Sequence, residues 1–134
     1  MITGPALVSI LRQGSYLIAS IHTALDDSQM LRFQRDLIDE IGRHRSPGVI
    51  IDVAALDVID SFGSNTLRRI AEMARIRGAL TVLVGIQPDV AFAMVTLGMG
   101  TGAVPTALDL EEGLAFLDAH LTTGAARRST RPGA

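Results

Sequence analysis

Two short apolar blocks limit what this chain can fold into: Val49-Ile50-Ile51 and Thr81-Val82-Leu83-Val84-Gly85-Ile86. A strand with one wet face alternates apolar and polar residues. A strand written as a solid apolar block needs cover on both faces, and a parallel sheet flanked by helices supplies it. The first block leads into a change of period. After Asp60, the residues Leu67, Ile70, Ala71 and Ala74 recur at helical spacing, with Arg68, Arg69, Glu72 and Arg75 on the other side. Between the two periods stands Asp60-Ser61-Phe62-Gly63. Ser61 is therefore expected at or next to a helix N-terminus, where a hydroxyl can cap free backbone N–H groups. It is also expected at the C-terminal edge of the sheet, where α/β proteins place their working residues.

The rest of the chain fits this frame. Ala6 to Leu11 and Tyr16 to Ile21 read as two strands, and Gly14-Ser15 between them reads as a hairpin turn. Asp26 or Asp27 opens a helix whose apolar stripe is Met30, Phe33, Leu37, Ile38 and Ile41. Gly42 to Gly48, containing Pro47, stops it. The central strand and helix follow, ending near Arg77-Gly78. Thr81 to Ile86 is the second buried strand. Pro88 suits the first turn of the next helix, whose inward face is expected to be Val90, Ala91, Met94, Val95 and Leu97, with Gly98 at its end. Val104 to Ala107 reads as a short last strand. Asp109 is placed to cap the final helix, with Glu112 reaching back and Leu110, Leu114, Leu117 and Leu121 along one face.

The order is β-β-α-β-α-β-α-β-α. It implies an α/β fold with a mainly parallel sheet and an antiparallel N-terminal edge. A single domain is expected over residues 1–121. Residues 122–134 are Thr, Gly, Ala, Arg, Ser and Pro without apolar period, and read as a disordered tail.

Composition removes several functions. The 134 residues suit one core, and 48% hydrophobic with 19% charged is a globular mixture. A net charge of -2 leaves no footprint for nucleic acid or acidic lipid. There is no cysteine, hence no disulfide, thiolate metal site or thiol nucleophile. No apolar run is long enough for a membrane span, and the N-terminus lacks a basic region before an apolar block. The expected location is cytoplasmic.

Candidate chemistry centres on Ser61. The phosphate-loop pattern is absent. The glycine-rich stretch Gly98-Met99-Gly100-Thr101-Gly102 follows a helix rather than a first strand, and reads as a helix-exit loop. As a nucleophile Ser61 would need a base, and the G-x-S-x-G elbow pattern is missing. His22, His44 and His120 are scattered and read as ordinary solvated or satisfied histidines. Asp52, Asp57 and Asp60 could be a magnesium cluster, but no phosphate-binding loop accompanies them, and turn residues are the simpler reading. Ser61 as a phosphorylation site fits best against the plain alternative of an N-cap. It is expected at an exposed edge, beside a large apolar Phe62 that suggests a docking surface, and a phosphate would add about −1.5 to −2 charges there. Ser64 ranks second and Thr66 below it, because both lie inside the helix's opening turns. A small nucleotide-binding or hydrolytic α/β domain using Ser61 and the nearby aspartates stays open as the alternative.

The segment Val58-Ile59-Asp60-Ser61-Phe62, with the element order, resembles the STAS domain of anti-sigma-factor antagonists. Further segments place the resemblance in the stressosome scaffold branch of RsbS type. They are Leu25-Asp26-Asp27, Phe33 to Leu37, Gly85 to Ala91, and Thr106 to Leu114. The resemblance covers roughly Ala6 to Leu121. Simple antagonists follow the serine with a small residue and then Gly-Leu. Here Phe62-Gly63-Ser64-Asn65 follows, which favours the stressosome branch over direct capture of a sigma-inhibiting kinase. Few residues precede the first strand, so a scaffold subunit is expected rather than a sensor with an added N-terminal domain.

The resemblance implies a non-enzymatic scaffold without a cofactor or metal. It would form a homo-oligomer, a dimer within a large assembly with RsbR-like STAS sensor paralogues. That assembly would sequester an RsbT-like serine kinase. Phosphorylation of Ser61 would release the kinase to a stress-response pathway, and a phosphatase would reset the site. The expected docking patch is Asp60, Ser61, Phe62 and Asn65.

Overall fold

The solid apolar blocks become the two middle strands of a five-stranded sheet. The computed structural model describes residues 6–98 and 104–129, with side chains through residue 121. In order, the elements are β1 Val8–Gln13, β2 Tyr16–Ile21, α1 Asp27–His44, β3 Gly48–Asp52, α2 Ser61–Ile76, β4 Leu80–Val84, α3 Pro88–Thr96, β5 Thr106–Ala107 and α4 Leu110–Ser129. The alternation expected from the sequence is therefore present. The glycine-rich loop at 99–103 and the last residues, 130–134, lie outside the described residues, as do the side chains of the helical stretch 122–129 within the expected tail.

The sheet order is β1-β2-β3-β4-β5. β1 pairs antiparallel with β2 through the Gly14-Ser15 turn, where Gly14 takes φ 61°, a region that favours glycine. The other neighbours pair in parallel, with Leu17, Val49 and Thr81 in one row and Ile18, Ile50 and Val82 in the next. Each parallel crossover steps one strand in the same direction. Right-handed crossovers then lay α1, α2 and α3 on a single face.

That face holds the main core. Leu17, Ala19, Ile21, Val49, Ile51 and Leu83 of the sheet meet Phe33, Leu37 and Ile41 of α1 and Leu67, Ile70 and Ala74 of α2. The opposite face is covered by α4, whose Leu117 is packed against Ile18, Ile50, Val82 and Val84. Leu110, Leu114 and Leu121 line its partly buried margin, as their spacing predicts. The contrast between the faces explains why β3 is apolar at every position: Val49, Ile50 and Ile51 are each 0% exposed.

Helix α3 departs from expectation. Only Val90 and Met94 are buried, while Val95 and Leu97 point outward. Val90 and Met94 alone join the main core, so the rest of its apolar girth stays exposed.

Two contacts seat α4. A Cβ added at Gly113 would lie 2.8 Å from Val84 Cγ1 and 3.3 Å from Ile50 Cδ1, so the helix backbone rests directly on the sheet there. At the other end, Tyr16 Oη donates to Asp118 Oδ1 at 2.6 Å. Partial burial, and then the bond to Asp118 and its negative charge, push the Tyr16 phenol from 10.0 up to about 12. A raised pKa favours the neutral phenol in the folded state. Its contribution to stability is complete below pH 10 and is lost as pH climbs towards 12. The chain has no lysine to titrate in that window.

Two measurements check this packing. Gly113→Val should cost about 1–3 kcal/mol in urea unfolding through overpacking. Tyr16→Phe should be less stable than the parent below pH 10, and the gap should close between pH 10 and 12.

Candidate functional site

The loop from β3 to α2 carries the site, and neighbouring strand ends brace it. Val53 N donates to Val84 O at 3.0 Å, and Gln87 Nε2 donates to Ala54 O at 2.7 Å. Asp52 Oδ1 accepts from Ala54 N at 2.9 Å. Gly85 has φ 76°, and a Cβ there would sit 2.8 Å from that of Ala54. The segment Gly85-Ile86-Gln87-Pro88 thus holds the loop by close approach and by a side-chain hydrogen bond. Its position at the end of β4 places it beside the C-terminal edge of β3, where the chain turns toward α2.

At the start of α2 the cap is Asp60, not Ser61. Asp60 has extended backbone angles, and its Oδ1 accepts from Gly63 N at 2.7 Å. Its carbonyl takes Ser64 N at 2.9 Å. Two adjacent cap-forming residues compete in the sequence, and either oxygen could serve. Once Asp60 takes the non-helical position, Ser61 becomes the first helical residue. Its side chain is exposed, and among the described residues its hydroxyl has no hydrogen-bond partner. The hydroxyl is thus left free for chemistry with another molecule.

The other candidates fall into place around it. Ser64 is 2% exposed and Thr66 is 1% exposed, and the Thr66 hydroxyl donates to Phe62 O at 2.8 Å. Both residues are therefore withdrawn from the surface of the folded chain. Asn65 is exposed and accepts from Arg68 at 3.2 Å. Phe62, expected beside the serine as an apolar residue suggesting a docking surface, is half-buried against the main core. Helix geometry turns this second position inward while the first stays outside.

Asp57 and Asp60 are exposed, and Asp52 is half-buried and committed to its turn. Among the described residues no group of three or more histidines, cysteines or carboxylates is arranged to hold a metal ion. The histidines are occupied elsewhere. His22 shares a hydrogen bond with Ser9, His44 lies 3.7 Å from Glu40, and His120 bonds to and stacks on Phe116.

One feature the sequence did not show is an apolar recess of about 200 Å³ next to Asp60. Ile21, Leu25, Met30, Leu56, Ile59 and Leu67 supply most of its wall. It opens between the start of α1 and the start of α2. Asp26 caps α1 there through a reciprocal pair of bonds with Gln29. The recess is built from residues of four separate segments, so no local pattern announces it.

Comparison with known proteins agrees with this geometry. The model of the STAS domain matches residues 8–112. The chain belongs to the STAS domain family. A curated relative, the RsbT co-antagonist protein RsbRA of Bacillus subtilis, is 30% identical over 90 residues, which are 67% of this chain and 33% of RsbRA. This STAS chain therefore spans about a third of the length of that relative. Among solved structures, a serine-to-glutamate variant of RsbS from Moorella thermoacetica superposes with a TM-score of 0.78 at 32% identity. The match covers 87% of this chain and 99% of that one. A chain from the architecture of the stressosome, described as a signal integration and transduction hub, gives 0.71 at 29% identity, over 84% and 98%. The STAS assignment accounts for the sheet order and for the helix start at the sheet's C-terminal edge.

The capping geometry separates two neighbouring substitutions. Asp60→Ala should lower stability by about 1 kcal/mol, the usual cost of losing an N-cap. Ser61→Ala should change it by less than about 0.5 kcal/mol, as for an exposed side chain with no partner. Urea unfolding of the two variants checks this.

Proposed function

We propose that this chain is a non-enzymatic regulatory scaffold of the stressosome type, and that Ser61 is its phosphorylation site. The observation that carries the reading is the free hydroxyl at the first position of α2, exposed and without a partner, while its neighbours Ser64 and Thr66 are buried. The likeness over almost the whole length of RsbS, and to a stressosome chain, supports assembly with STAS paralogues. The name of the relative RsbRA, a co-antagonist of RsbT, supports a kinase of RsbT type as the sequestered partner. A dimeric building block, RsbR-like sensor paralogues, a resetting phosphatase and a cytoplasmic setting complete the proposal. Among the described residues, no helix is long and apolar enough to cross a membrane.

The mechanism follows from electrostatics at the helix start. Asp60, Ser61, Phe62 and Asn65 form the docking patch. A phosphate on Ser61 would lie at the positive end of α2, where helix dipole and free N–H groups favour it, so the helix stays folded. The same phosphate would stand beside exposed Asp60 and Asp57. A complex shaped around a neutral hydroxyl would then have to desolvate about two further negative charges in an already acidic corner. Each ~1.4 kcal/mol lost weakens binding tenfold, so release requires only a few kcal/mol.

Ser61→Asp should weaken kinase retention at least tenfold, whereas Ser61→Ala should retain the kinase and resist release by ATP. Equal retention by both variants, measured by co-sedimentation of the assembled complex, would overturn the latch. Phosphopeptide mapping after incubation with kinase and ATP should place the phosphate on Ser61; phosphate on Ser64 alone would contradict the assignment.

A further inference from the structure

β1 stands at one end of the sheet, and among the described residues nothing pairs with its outer side. The hairpin fixes which backbone groups face that way. Gln13 and Tyr16 close the two-residue turn as a hydrogen-bonded pair, and His22 N donates to Leu7 O at 2.8 Å at the far end of the same ladder. Bonded and non-bonded pairs alternate along antiparallel strands. Leu7, Ser9, Leu11 and Gln13 therefore direct their N–H and C=O groups to β2, while those of Val8, Ile10 and Arg12 point away from it.

Natural sheets blunt such an edge with proline, lysine, a bulge or a very short strand. β1 has none of these. It runs six residues, V-S-I-L-R-Q, in unbroken register with β2, and its single charge is Arg12 near the turn. Its α4-side apolar residues are uncovered too. The register puts Leu11 beside Ile18, on the face that α4 covers farther along the sheet. Leu117 of α4 packs with Ile18, Ile50, Val82 and Val84, and no residue of β1 belongs to that cluster. Leu11 is accordingly 63% exposed and Leu7 40% exposed. A strand edge with free backbone groups is a template for another strand.

We propose that β1 pairs with β1 of a second copy, antiparallel across a two-fold axis at Ile10. In that register Ile10 faces the partner's Ile10, Arg12 faces the partner's Val8, and Leu11 faces the partner's Ser9. All three outward-facing residues then form bonded pairs, each exchanging two backbone hydrogen bonds. Leu11 lies diagonal to the partner's Leu11 and the partner's Leu7, within reach on the uncovered face. The charges agree with this register. Each arginine meets an apolar valine. The two arginines stand about 13 Å apart along the strands, beyond the screening length of about 8 Å at physiological salt. Parallel pairing would instead set Arg12 beside its copy. The opposite edge of the sheet, β5, offers only Thr106–Ala107 and is too short to take a six-residue strand. The pairing therefore closes as a dimer and does not continue head to tail. No residue of the Ser61 patch takes part in it.

Sedimentation velocity of the full-length chain should show a dimer that dissociates on dilution. Leu11→Glu sets two carboxylates diagonal to each other, and Arg12→Pro removes an outward N–H without touching the β2 ladder. Each should weaken the dimer at least tenfold. Leu11 and Arg12 are both exposed, so neither change should disturb the fold, which amide spectra check. The chain has no cysteine, so single introduced cysteines read the register. Ile10→Cys should cross-link two copies under mild oxidation, because bonded pairs lie about 5.5 Å apart between Cα atoms, within disulfide range. Val8→Cys, about 13 Å from its copy along the strands, should not. A chain that stays monomeric up to millimolar concentration would overturn the pairing. So would a dimer that both variants leave intact, or a dimer in which Ile10→Cys cross-links no better than Val8→Cys. Phosphorylation of Ser61 is not read in any arm, so failure here leaves the scaffold reading untouched.

Discussion

Burial of β3 on both faces is the constraint on which the rest of this molecule depends. Val49 and Ile51 enter the core under α1 and α2, while Ile50 enters the core under α4. Each such side chain contributes about 1.5–3 kcal/mol when fully removed from water. Neither layer of helices can leave without exposing the same strand. The sheet is thereby held in the middle of three layers, and the chain leaving β3 must emerge at one defined edge.

What emerges there is a short loop followed by a helix whose first residue is a serine. The site's precision comes from rigid parts. Gly85 presses against Ala54, Gln87 holds Ala54 O, and Asp60 caps the helix, so little is left for the loop to decide. Asp60 also explains how a hydroxyl can be both well positioned and unused. The aspartate takes over the structural task, and the serine stands beside it with its oxygen free.

Legibility varied by how local the cause was. The strands and three of the helices could be read because apolar period and caps are written within ten or twenty residues; Asp26 with Gln29, and Asp109 with Glu112, are such signals. Glu112 reaches to Leu108 N rather than to Asp109 itself, a detail set by the turn after β5. Helix α3 misled because its apolar residues lie on several sides, and only packing against the main core decides that Val90 and Met94 are the ones covered. Phe62 was legible only in part: its neighbours in sequence are polar, and the first turn of α2 rotates part of its ring toward the core. The recess beside Asp60 was invisible, since it is assembled from segments far apart in the chain.

From the sequence alone came the alternation of elements, the double-sided cover of the middle strands and the nomination of Ser61, because these follow from the spacing of apolar residues and from residue type at a helix start. Only the tertiary structure decided which of two adjacent residues caps α2, and which hydroxyls of its first turns reach solvent. Those outcomes depend on the direction in which each side chain leaves its backbone relative to elements packed against it. Such a direction is set by contacts between distant segments, and no local pattern of residues encodes it.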